Sequence, residues 1–227
     1  MVVGNGMIAK AFESFKDNND VIIFASGVSN SKETNPEEYY RELKLLTSYT
    51  NMQDKKLIYF STCSIFDSDL EWNPYIKHKI EMEKCIRENF KNYIIFRLPN
   101  VIGRTENPNT FFNYFKNKIA NNEEIIIKRN AVRFLIDMDD VSDLVPLIIE
   151  RPINNCKTFN IAYNNKRSVY EIAHLMAFVM NKKLNYKFVD GGVDYQLDNI
   201  GFVNFAKERK KDKNKFYIKY ILTKYLN

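Results

Sequence analysis

The amino-terminal glycine turn constrains the fold more than any other feature of the sequence. A short apolar run, residues 1–3, enters the pattern Gly-Asn-Gly-Met-Ile-Ala at positions 4–9, and a helix-like run continues to about Lys16. This strand–turn–helix context is typical of a dinucleotide fingerprint, because the glycines let a pyrophosphate approach backbone N–H groups at the helix N-terminus. The alternative is an ordinary strand-to-helix turn in which glycine supplies a positive φ. The candidate cradle residues are Gly4, Asn5, Gly6, Met7 and Ile8.

Apolar runs and helix-like segments alternate along the chain. Strands are predicted at about 1–4, 20–26, 56–61, 93–98, 124–128, 134–136 and 158–162. Helices are predicted at about 8–16, 37–49, 75–89, 111–121, 139–150 and 168–181. The βαβαβαβ order of the first hundred residues predicts an α/β fold with a doubly wound parallel sheet. The C-terminal third is predicted to form a small cap beside this sheet.

One constellation of residues is suited to acid–base chemistry. Tyr75 and Lys79 lie four residues apart on a predicted helix, so both side chains project from one face. A lysine cation stabilises a phenolate, so we expect Lys79 to lower the pKa of Tyr75. The Thr62 hydroxyl, 13 positions before Tyr75, is placed to hold a substrate carbonyl. Together they would move a proton on and off a carbinol oxygen, with a hydride acceptor as the missing partner.

The spacing between Tyr75 and Lys79 is not selective by itself. It occurs three more times, at Tyr40/Lys44, Tyr114/Lys118 and Tyr220/Lys224. Only Tyr75 follows an apolar strand that ends in small hydroxyl residues and is preceded by a proline, Pro74. Its context therefore favours this pair over the other three.

Composition excludes several classes of protein. With 227 residues and 45% hydrophobic content, the chain is expected to form one compact unit. No run approaches the roughly 20 apolar residues of a membrane span, and no signal peptide precedes the first strand. Scattered Cys63, Cys85 and Cys156 suggest no disulfide framework and no metal site, which fits a reducing cytoplasm. The net charge of +6 is dispersed, and its one basic cluster, 207–215, is interpreted as a solvated helix face. We therefore expect no nucleic-acid partner and no membrane partner.

Six segments, in order, resemble the motifs of one enzyme family. They resemble its glycine motif, its cofactor-lining turn, its catalytic Ser/Thr strand, and its "RxxNVYG", "RDFIHVDDV" and "YNIG" segments. These are residues 4–9, 24–29, 60–66, 97–103, 133–141 and 159–162. The chain thus resembles the extended short-chain dehydrogenase/reductases, the NAD(P)-dependent epimerase/dehydratase family of nucleotide-sugar enzymes. This resemblance covers nearly the whole chain and implies a Rossmann-like sheet.

The resemblance implies roles for individual residues. Tyr75 would be the general acid/base, Lys79 would hold the nicotinamide ribose, and Thr62 would bind the reacting oxygen. NAD or NADP would be contacted by Gly4, Asn5, Gly6, Met7, Ile8, Ala25, Ser26, Ser61, Tyr75, Lys79 and Pro99. Asn100 would contact the nucleotide sugar, and Arg133 its diphosphate. Residues 1–99, completed by about 137–162, would form the dinucleotide-binding core; 100–136 and 163–227 would form the substrate cap of the same compact unit.

The sequence also departs from this family. Typical members have two further strand–helix units before the strand that ends at Ala25, so strand 1 is expected to be a sheet edge. The acidic residue that usually holds the adenosine ribose has no strand to occupy, which leaves NAD and NADP as open alternatives; Lys10 or Lys16 could reach a 2′-phosphate. Cys63 and Ser64 replace the Asp-Glu pair of sugar 4,6-dehydratases, which argues against a dehydratase.

Two functions follow from the sequence. The leading one is a 4-keto-reductase or 4-epimerase that acts on a nucleotide-activated sugar in surface polysaccharide biosynthesis. The alternative is a non-catalytic module that binds a dinucleotide or a sugar-nucleotide on a trimmed dehydrogenase fold. The resemblance also makes a homodimer possible, through the helices at about 37–49 and 75–89.

Overall fold

The computed structural model describes residues 1–151 and 155–226. Its strands are β1 (Val2–Val3), β2 (Val21–Phe24), β3 (Lys56–Thr62), β4 (Tyr93–Leu98), β5 (Asn100–Ile102), β6 (Ile125–Lys128), β7 (Val132–Arg133), β8 (Leu135–Asp137), β9 (Lys157–Asn160), β10 (Arg167–Ser168) and β11 (Tyr186–Val189). Its α-helices are α1 (Met7–Ala11), α2 (Pro36–Thr47), α3 (Pro74–Asn89), α4 (Phe111–Ala120), α5 (Met138–Ile149), α6 (Val169–Val179), α7 (Ile200–Glu208) and α8 (Tyr217–Leu226).

The centre of the molecule is a parallel sheet with strand order β1-β2-β3-β4-β9. Side chains alternate between its two faces, as the two-residue period of a strand requires. On one face, Ile22 and Leu57 pack with Leu46 of α2 and Met82 of α3. The opposite face is covered by α5 and by the segment that follows α1. Helices on both faces confirm the predicted doubly wound α/β fold.

The first crossover of the sheet differs in hand from the second. The connection from β1 to β2 and the connection from β2 to β3 step in the same direction along the sheet. The first passes over the face that buries Phe12 and Phe15, and the second, through α2, over the other face. Two such connections have opposite hands, although about 98% of βαβ crossovers are right-handed. The absence of the two strand–helix units that the resemblance places between β1 and β2 accounts for this reversal.

Strand β1 is an edge of the central sheet, as the sequence predicted. Its only strand partner among the described residues is β2, with Val2 beside Ile23 and Val3 beside Phe24. The strand is two residues long, and such short edges resist pairing with another chain.

Helices α2 and α3 begin in the same way. Each has an asparagine N-cap followed by proline at the first helical position, Asn35-Pro36 and Asn73-Pro74. The asparagine side chain accepts a backbone N–H, and proline has no N–H to leave unsatisfied. The two capped helix starts fix the positions of α2, which carries Glu42, and of α3, which carries Tyr75.

The remaining strands form three two-stranded sheets, β5–β8, β6–β11 and β7–β10. The carboxyl-terminal helix α8 is tied to the start of α5 by hydrogen bonds. The Tyr217 hydroxyl donates to Asp140 at 2.6 Å, and Tyr225 and Lys224 donate to Asp137 at 2.6 and 2.7 Å. The proposed division into core and cap stays a prediction.

Some sequence predictions need correction. Strands β5, β7, β10 and β11 and helices α7 and α8 were not predicted. The basic cluster 207–215 is not a helix face, because α7 ends at Glu208 and the next helix begins at Tyr217. Two of its lysines instead pair with α5, Lys211 with Asp143 and Lys213 with Asp140. In the described residues, no helix has both the length and the apolar character needed to cross a membrane.

Candidate active site

The glycine turn packs directly on the end of β2. Gly4 has φ +120°, and a Cβ at this position would come within 2.4 Å of the Ala25 carbonyl oxygen and 3.0 Å of the Ser26 nitrogen. Only glycine tolerates this geometry without strain. At Gly6, by contrast, a Cβ would meet nothing within 4 Å. Gly4, Ala25 and Ser26, all predicted to contact the cofactor, therefore meet at this turn. The backbone of residues 4–6 is exposed to solvent beside them.

Thr62 and Tyr75 are brought together at the carboxyl end of β3. The Asn73 side chain accepts the Tyr75 backbone N–H at 2.9 Å, which fixes the first turn of α3. The Thr62 hydroxyl lies near the Tyr75 phenol and acts on its pKa, and it accepts the Ser64 N–H at 3.1 Å. The predicted acid/base and the predicted carbonyl-binding hydroxyl thus form a contiguous pair.

Lys79 is held by a buried carboxylate that the sequence analysis did not identify. Its Nζ lies 2.9 Å from Oε1 of Glu42, and it donates to the Tyr59 hydroxyl at 3.0 Å. Glu42 is fully buried and Lys79 is 2% exposed. The second oxygen of Glu42 accepts the Val28 N–H at 2.7 Å and lies 2.9 Å from His78 Nε2. A buried ion pair of this kind persists because its hydrogen bonds are satisfied.

The backbone of the loop after β2 leaves room for this ion pair. A Cβ on Gly27 would lie 2.7 Å from Lys79 Nζ and 2.9 Å from Glu42 Oε1. The absence of a side chain at Gly27 therefore lets the loop close over the buried charges.

The pKa of Tyr75 is shifted in the direction opposite to the one expected from the sequence. Burial of the phenol is the main cause and raises its pKa, the negative charge of Glu42 raises it further, and the neighbouring Thr62 hydroxyl lowers it in part. Lys79 does not offset these effects because its charge is directed at Glu42. The expectation that Lys79 lowers the pKa of Tyr75 was therefore wrong.

The pKa of Glu42 is set by competing effects. Burial alone would raise it, but the charge of Lys79 and the hydrogen bonds from His78 and the Val28 N–H outweigh burial and hold it well below its usual range. Glu42 is thus ionised at neutral pH, which keeps a negative charge next to the Thr62–Tyr75 pair.

The predicted substrate residues Asn100 and Arg133 both adjoin Phe134, Asn100 through hydrogen bonds and Arg133 as its neighbour in the chain. Both the Asn100 backbone N–H and its side-chain amide donate to the Phe134 carbonyl, at 3.1 and 3.4 Å. Arg133 Nη1 lies 3.0 Å from Oδ2 of Asp67, a carboxylate that is 3% exposed. This arginine therefore already has an anionic partner, which the sequence analysis did not foresee.

Ser61 and Pro99 are both buried. Ser61 lies beside the Glu83 carboxylate, and Glu83 pairs with Arg97 through bonds of 2.8 and 2.6 Å. The Ser61 Oγ is buried and has no hydrogen-bond partner among the described residues. The roles of Ser61 and Pro99 as cofactor contacts stay predictions.

The residues that sequence analysis missed had a detectable signal. Glu42 lies four residues before the buried Leu46 on α2, and Lys79 three after the buried Ile76 on α3. Charged residues on the apolar faces of two neighbouring helices need partners, and opposite charges on two such faces predict a pair. His78, adjacent to Lys79, carried no such signal.

Comparison with known proteins identifies the family. The model of the NAD dependent epimerase/dehydratase family matches residues 5–162, well over half of the chain. The chain belongs to this family, which confirms the resemblance inferred from its motifs. A search of curated proteins finds no match.

Solved structures share the fold over most of the chain. UDP-N-acetylglucosamine 4-epimerase from Methanobrevibacter ruminantium M1, in complex with UDP-N-acetylmuramic acid, superposes with a TM-score of 0.71 at 17% identity, covering 94% of this chain and 77% of that one. UDP-glucuronic acid 4-epimerase from Bacillus cereus, in complex with UDP-glucuronic acid and NAD, gives 0.70 at 15% identity, with coverages of 95% and 77%. RMD from Pseudomonas aeruginosa, complexed with NADPH, gives 0.69 at 14% identity, with coverages of 99% and 96%. At these identities the likeness concerns the fold.

Residues of this chain fit a dinucleotide at the glycine turn. Gly4 and Gly6 present backbone without side chains, and Gly6 faces open space, which suits the close approach of a pyrophosphate. Lys79, predicted to hold the nicotinamide ribose, donates to Glu42 and Tyr59 with two of its three N–H groups.

Proposed function

We propose that the protein is an NAD(P)-dependent oxidoreductase that acts on a nucleotide-activated sugar, as a 4-keto-reductase or a 4-epimerase. The observation that carries this proposal is the neighbouring Thr62–Tyr75 pair, which lies at the carboxyl end of the same parallel sheet as the glycine turn. Ligands of open α/β sheets bind at this end of the strands.

The chain's own residues would handle the proton. Bound nicotinamide would supply hydride chemistry at a sugar carbon. The Thr62 hydroxyl would hold the carbonyl oxygen of that carbon, and the Tyr75 phenol would donate its proton to the same oxygen as negative charge develops there.

The raised pKa of Tyr75 favours the reductase over the epimerase within this proposal. Burial and the charge of Glu42 keep the phenol protonated, which is the form that reduction of a ketone needs. Epimerisation uses the same group first as a base and then as an acid, so a phenol held in its protonated form serves it less well.

The substrate side of the proposal rests on Asn100 and Arg133. Arg133 has five N–H donors, and its described side-chain contacts, to Asp67 and to the Val132 carbonyl, both involve Nη1. Its remaining donors would take one diphosphate oxygen pair. We further propose a cytoplasmic role in surface polysaccharide biosynthesis, and a homodimer through α2 and α3, where Tyr40 and Ile80 are 64% and 49% exposed.

Replacement of Tyr75 by Phe tests the catalytic proposal. We expect turnover of nucleotide 4-keto sugars with reduced cofactor to fall about 100-fold or more, since general acid catalysis contributes at least this much. Tyr40→Phe is the matched control, because Tyr40 has the same spacing to a lysine but is 64% exposed. Near-normal turnover in Tyr75→Phe would sink the assignment.

The non-catalytic alternative is favoured by one observation. Lys79 is directed at Glu42 and is almost fully buried, an arrangement that suits a rigid scaffold. Tight dinucleotide binding by the wild-type protein, with no turnover of any nucleotide 4-keto sugar, would support this alternative.

A further inference from the structure

A cavity of about 620 Å³ opens beside the glycine turn. Its size lies within the range of small-molecule sites in proteins. One wall is the glycine turn with Lys10 of α1, and the others are the loop 103–107, α4 and α8. The loop is held firmly against the turn, because a Cβ on Gly103 would lie 2.6 Å from the Met7 sulfur and 2.8 Å from the Met138 Cβ.

The cavity continues the proposed cofactor groove. It shares Asn5, Gly6 and Met7 with that groove, and its lining includes none of Thr62, Tyr75 and Lys79. A dinucleotide is an extended molecule whose two nucleoside halves lie on either side of its pyrophosphate. Because the lining includes none of the residues expected to meet the nicotinamide, we infer that the adenosine half extends toward this cavity.

The walls of the cavity are positively charged. Lys10, Arg104 and Lys116 line it, and none of these side chains has an ion-pair partner among the described residues. Glu106 is the one carboxylate in the lining. Three cations held around one space repel one another, and a phosphate dianion placed between them relieves this repulsion and gains charge-assisted hydrogen bonds.

The cavity also has an aromatic wall. Phe112 and Tyr225 both line it, with their ring centroids 6.4 Å apart in an edge-on arrangement. Tyr225 is fixed in place by its 2.6 Å hydrogen bond to Asp137. Flat apolar rings of this kind suit a purine base.

The sheet lacks the feature that selects NAD. That selection uses an acidic side chain at the end of the next strand, which hydrogen-bonds the adenosine 2′-hydroxyl. Here β1 is an edge and β2, its one strand partner in the described residues, ends at Phe24 and leads into Ala25 and Ser26.

We propose that Arg104 and Lys116, with Lys10, bind the 2′-phosphate of NADP(H), so that the protein prefers NADPH to NADH. This inference rests on the proposed function, since it assumes a dinucleotide at the glycine turn. It goes beyond that function because it assigns the adenosine subsite and chooses between the two cofactors.

Calorimetric titration with NADPH and NADH tests the assignment without an activity assay. We expect wild-type protein to bind NADPH at least about tenfold more tightly, because the 2′-phosphate accepts charge-assisted hydrogen bonds that NADH cannot form. The double variant Arg104→Gln/Lys116→Gln is expected to lose most of this preference while its NADH affinity stays within about twofold. Lys118→Gln is the matched control on α4, because Lys118 pairs with Glu123 and does not line the cavity.

The outcomes separate this inference from the proposed function. Equal affinity for the two cofactors in wild-type protein would overturn the 2′-phosphate assignment and leave the oxidoreductase proposal standing. Failure of folded protein, checked by circular dichroism, to bind either cofactor would overturn both. Loss of NADH and NADPH affinity together in the double variant would show that the cations hold the pyrophosphate, and would also overturn the assignment. Competition by adenosine 2′,5′-bisphosphate but not by adenosine 5′-monophosphate would support it.

Discussion

Replacing Glu42 by Gln tests the buried charge network at the candidate active site. The substitution keeps the size and a hydrogen-bonding group but removes the charge that faces Lys79, which is 2% exposed. Lys79 would then be a buried cation without a counter-charge. We expect a large loss of stability at neutral pH and a dependence of that loss on pH.

The size of the loss follows from the geometry. At the 2.9 Å separation of Nζ and Oε1, the attraction is about 6 kcal/mol for an effective dielectric constant of about 20. A lysine without a partner can instead release its proton, which costs about 4.6 kcal/mol at pH 7 from an ordinary lysine pKa of about 10.4. The loss of stability cannot exceed the smaller of these two costs by much, because Lys79 can release its proton. We therefore expect the free energy of unfolding to fall by about 3–5 kcal/mol, as for other buried pairs that lose one partner.

Urea denaturation followed by circular dichroism measures this loss. Since release of the lysine proton costs less at high pH, the difference between wild type and Glu42→Gln is expected to shrink by more than half between pH 7 and pH 9.5. Adding Lys79→Met to the variant is expected to recover part of the stability. Glu38→Gln is the control on the same helix, because Glu38 forms a surface pair with Arg41 and its loss is expected to cost less than about 0.5 kcal/mol.

Two results would refute this reasoning. A loss below about 1 kcal/mol would mean that Lys79 finds solvent or another partner when Glu42 is neutral. A loss that is the same at pH 7 and pH 9.5 would mean that a lysine proton is not involved.

Two further predictions concern the glycine turn and acid stability. Gly4→Ala is expected to lower the free energy of unfolding by about 1–3 kcal/mol and to weaken dinucleotide binding, because φ is +120° and the Ala25 oxygen is 2.4 Å from the added Cβ. Gly6→Ala, where the added Cβ meets open space, should change the free energy of unfolding by less than about 0.5 kcal/mol. Equal effects of the two substitutions in urea denaturation would contradict this account. The pKa values of Glu42 and Glu83 are both lowered, so their stabilising contribution is present above the ordinary glutamate pKa and is lost as pH falls through the folded-state values. The urea midpoint should therefore decline below about pH 4.5, and it should decline less steeply in Glu42→Gln; identical slopes would exclude Glu42 as a contributor.

The central sheet could be predicted because its strands are continuous apolar runs. Buried parallel strands such as Val21–Phe24 and Tyr93–Leu98 have few polar residues, and each lies between helix signals. The two-residue strands β7 and β10 and the largely exposed β11 have no such signature. Helix α8 did have such a signature, since four of its apolar residues are buried at helical spacing: Tyr217, Ile218, Ile221 and Leu222. It was not predicted because it directly follows the basic cluster 207–215, which was interpreted as a solvated helix face.

The candidate site was predictable in part. Motif order identified the glycine turn and the Thr62–Tyr75 pair, because both depend on local backbone geometry at strand ends. The partners of Lys79 and Arg133 could not be read from the motifs, since Glu42 and Asp67 lie 37 and 66 residues away from them in the sequence. The sign of the pKa shift at Tyr75 failed for this reason: it depends on where the charge of Lys79 is directed.

The distribution of charge supports assigning the 2′-phosphate site to the cavity beside the glycine turn. Lys79 and Arg133, the cations expected from the sequence to meet a ligand, are each paired with a carboxylate that is 3% exposed or less. A phosphate at either place would share its cation with an anion that is already desolvated and hydrogen bonded. Arg104 and Lys116 have no such competitor among the described residues, so a phosphate gains there the full charge-assisted interaction. On this assignment, the sheet lacks the strand end that would carry an NAD-selecting acidic side chain, and Arg104 and Lys116 would meet the adenosine half of a dinucleotide. We therefore expect cofactor choice to be the property that the shortened sheet has changed.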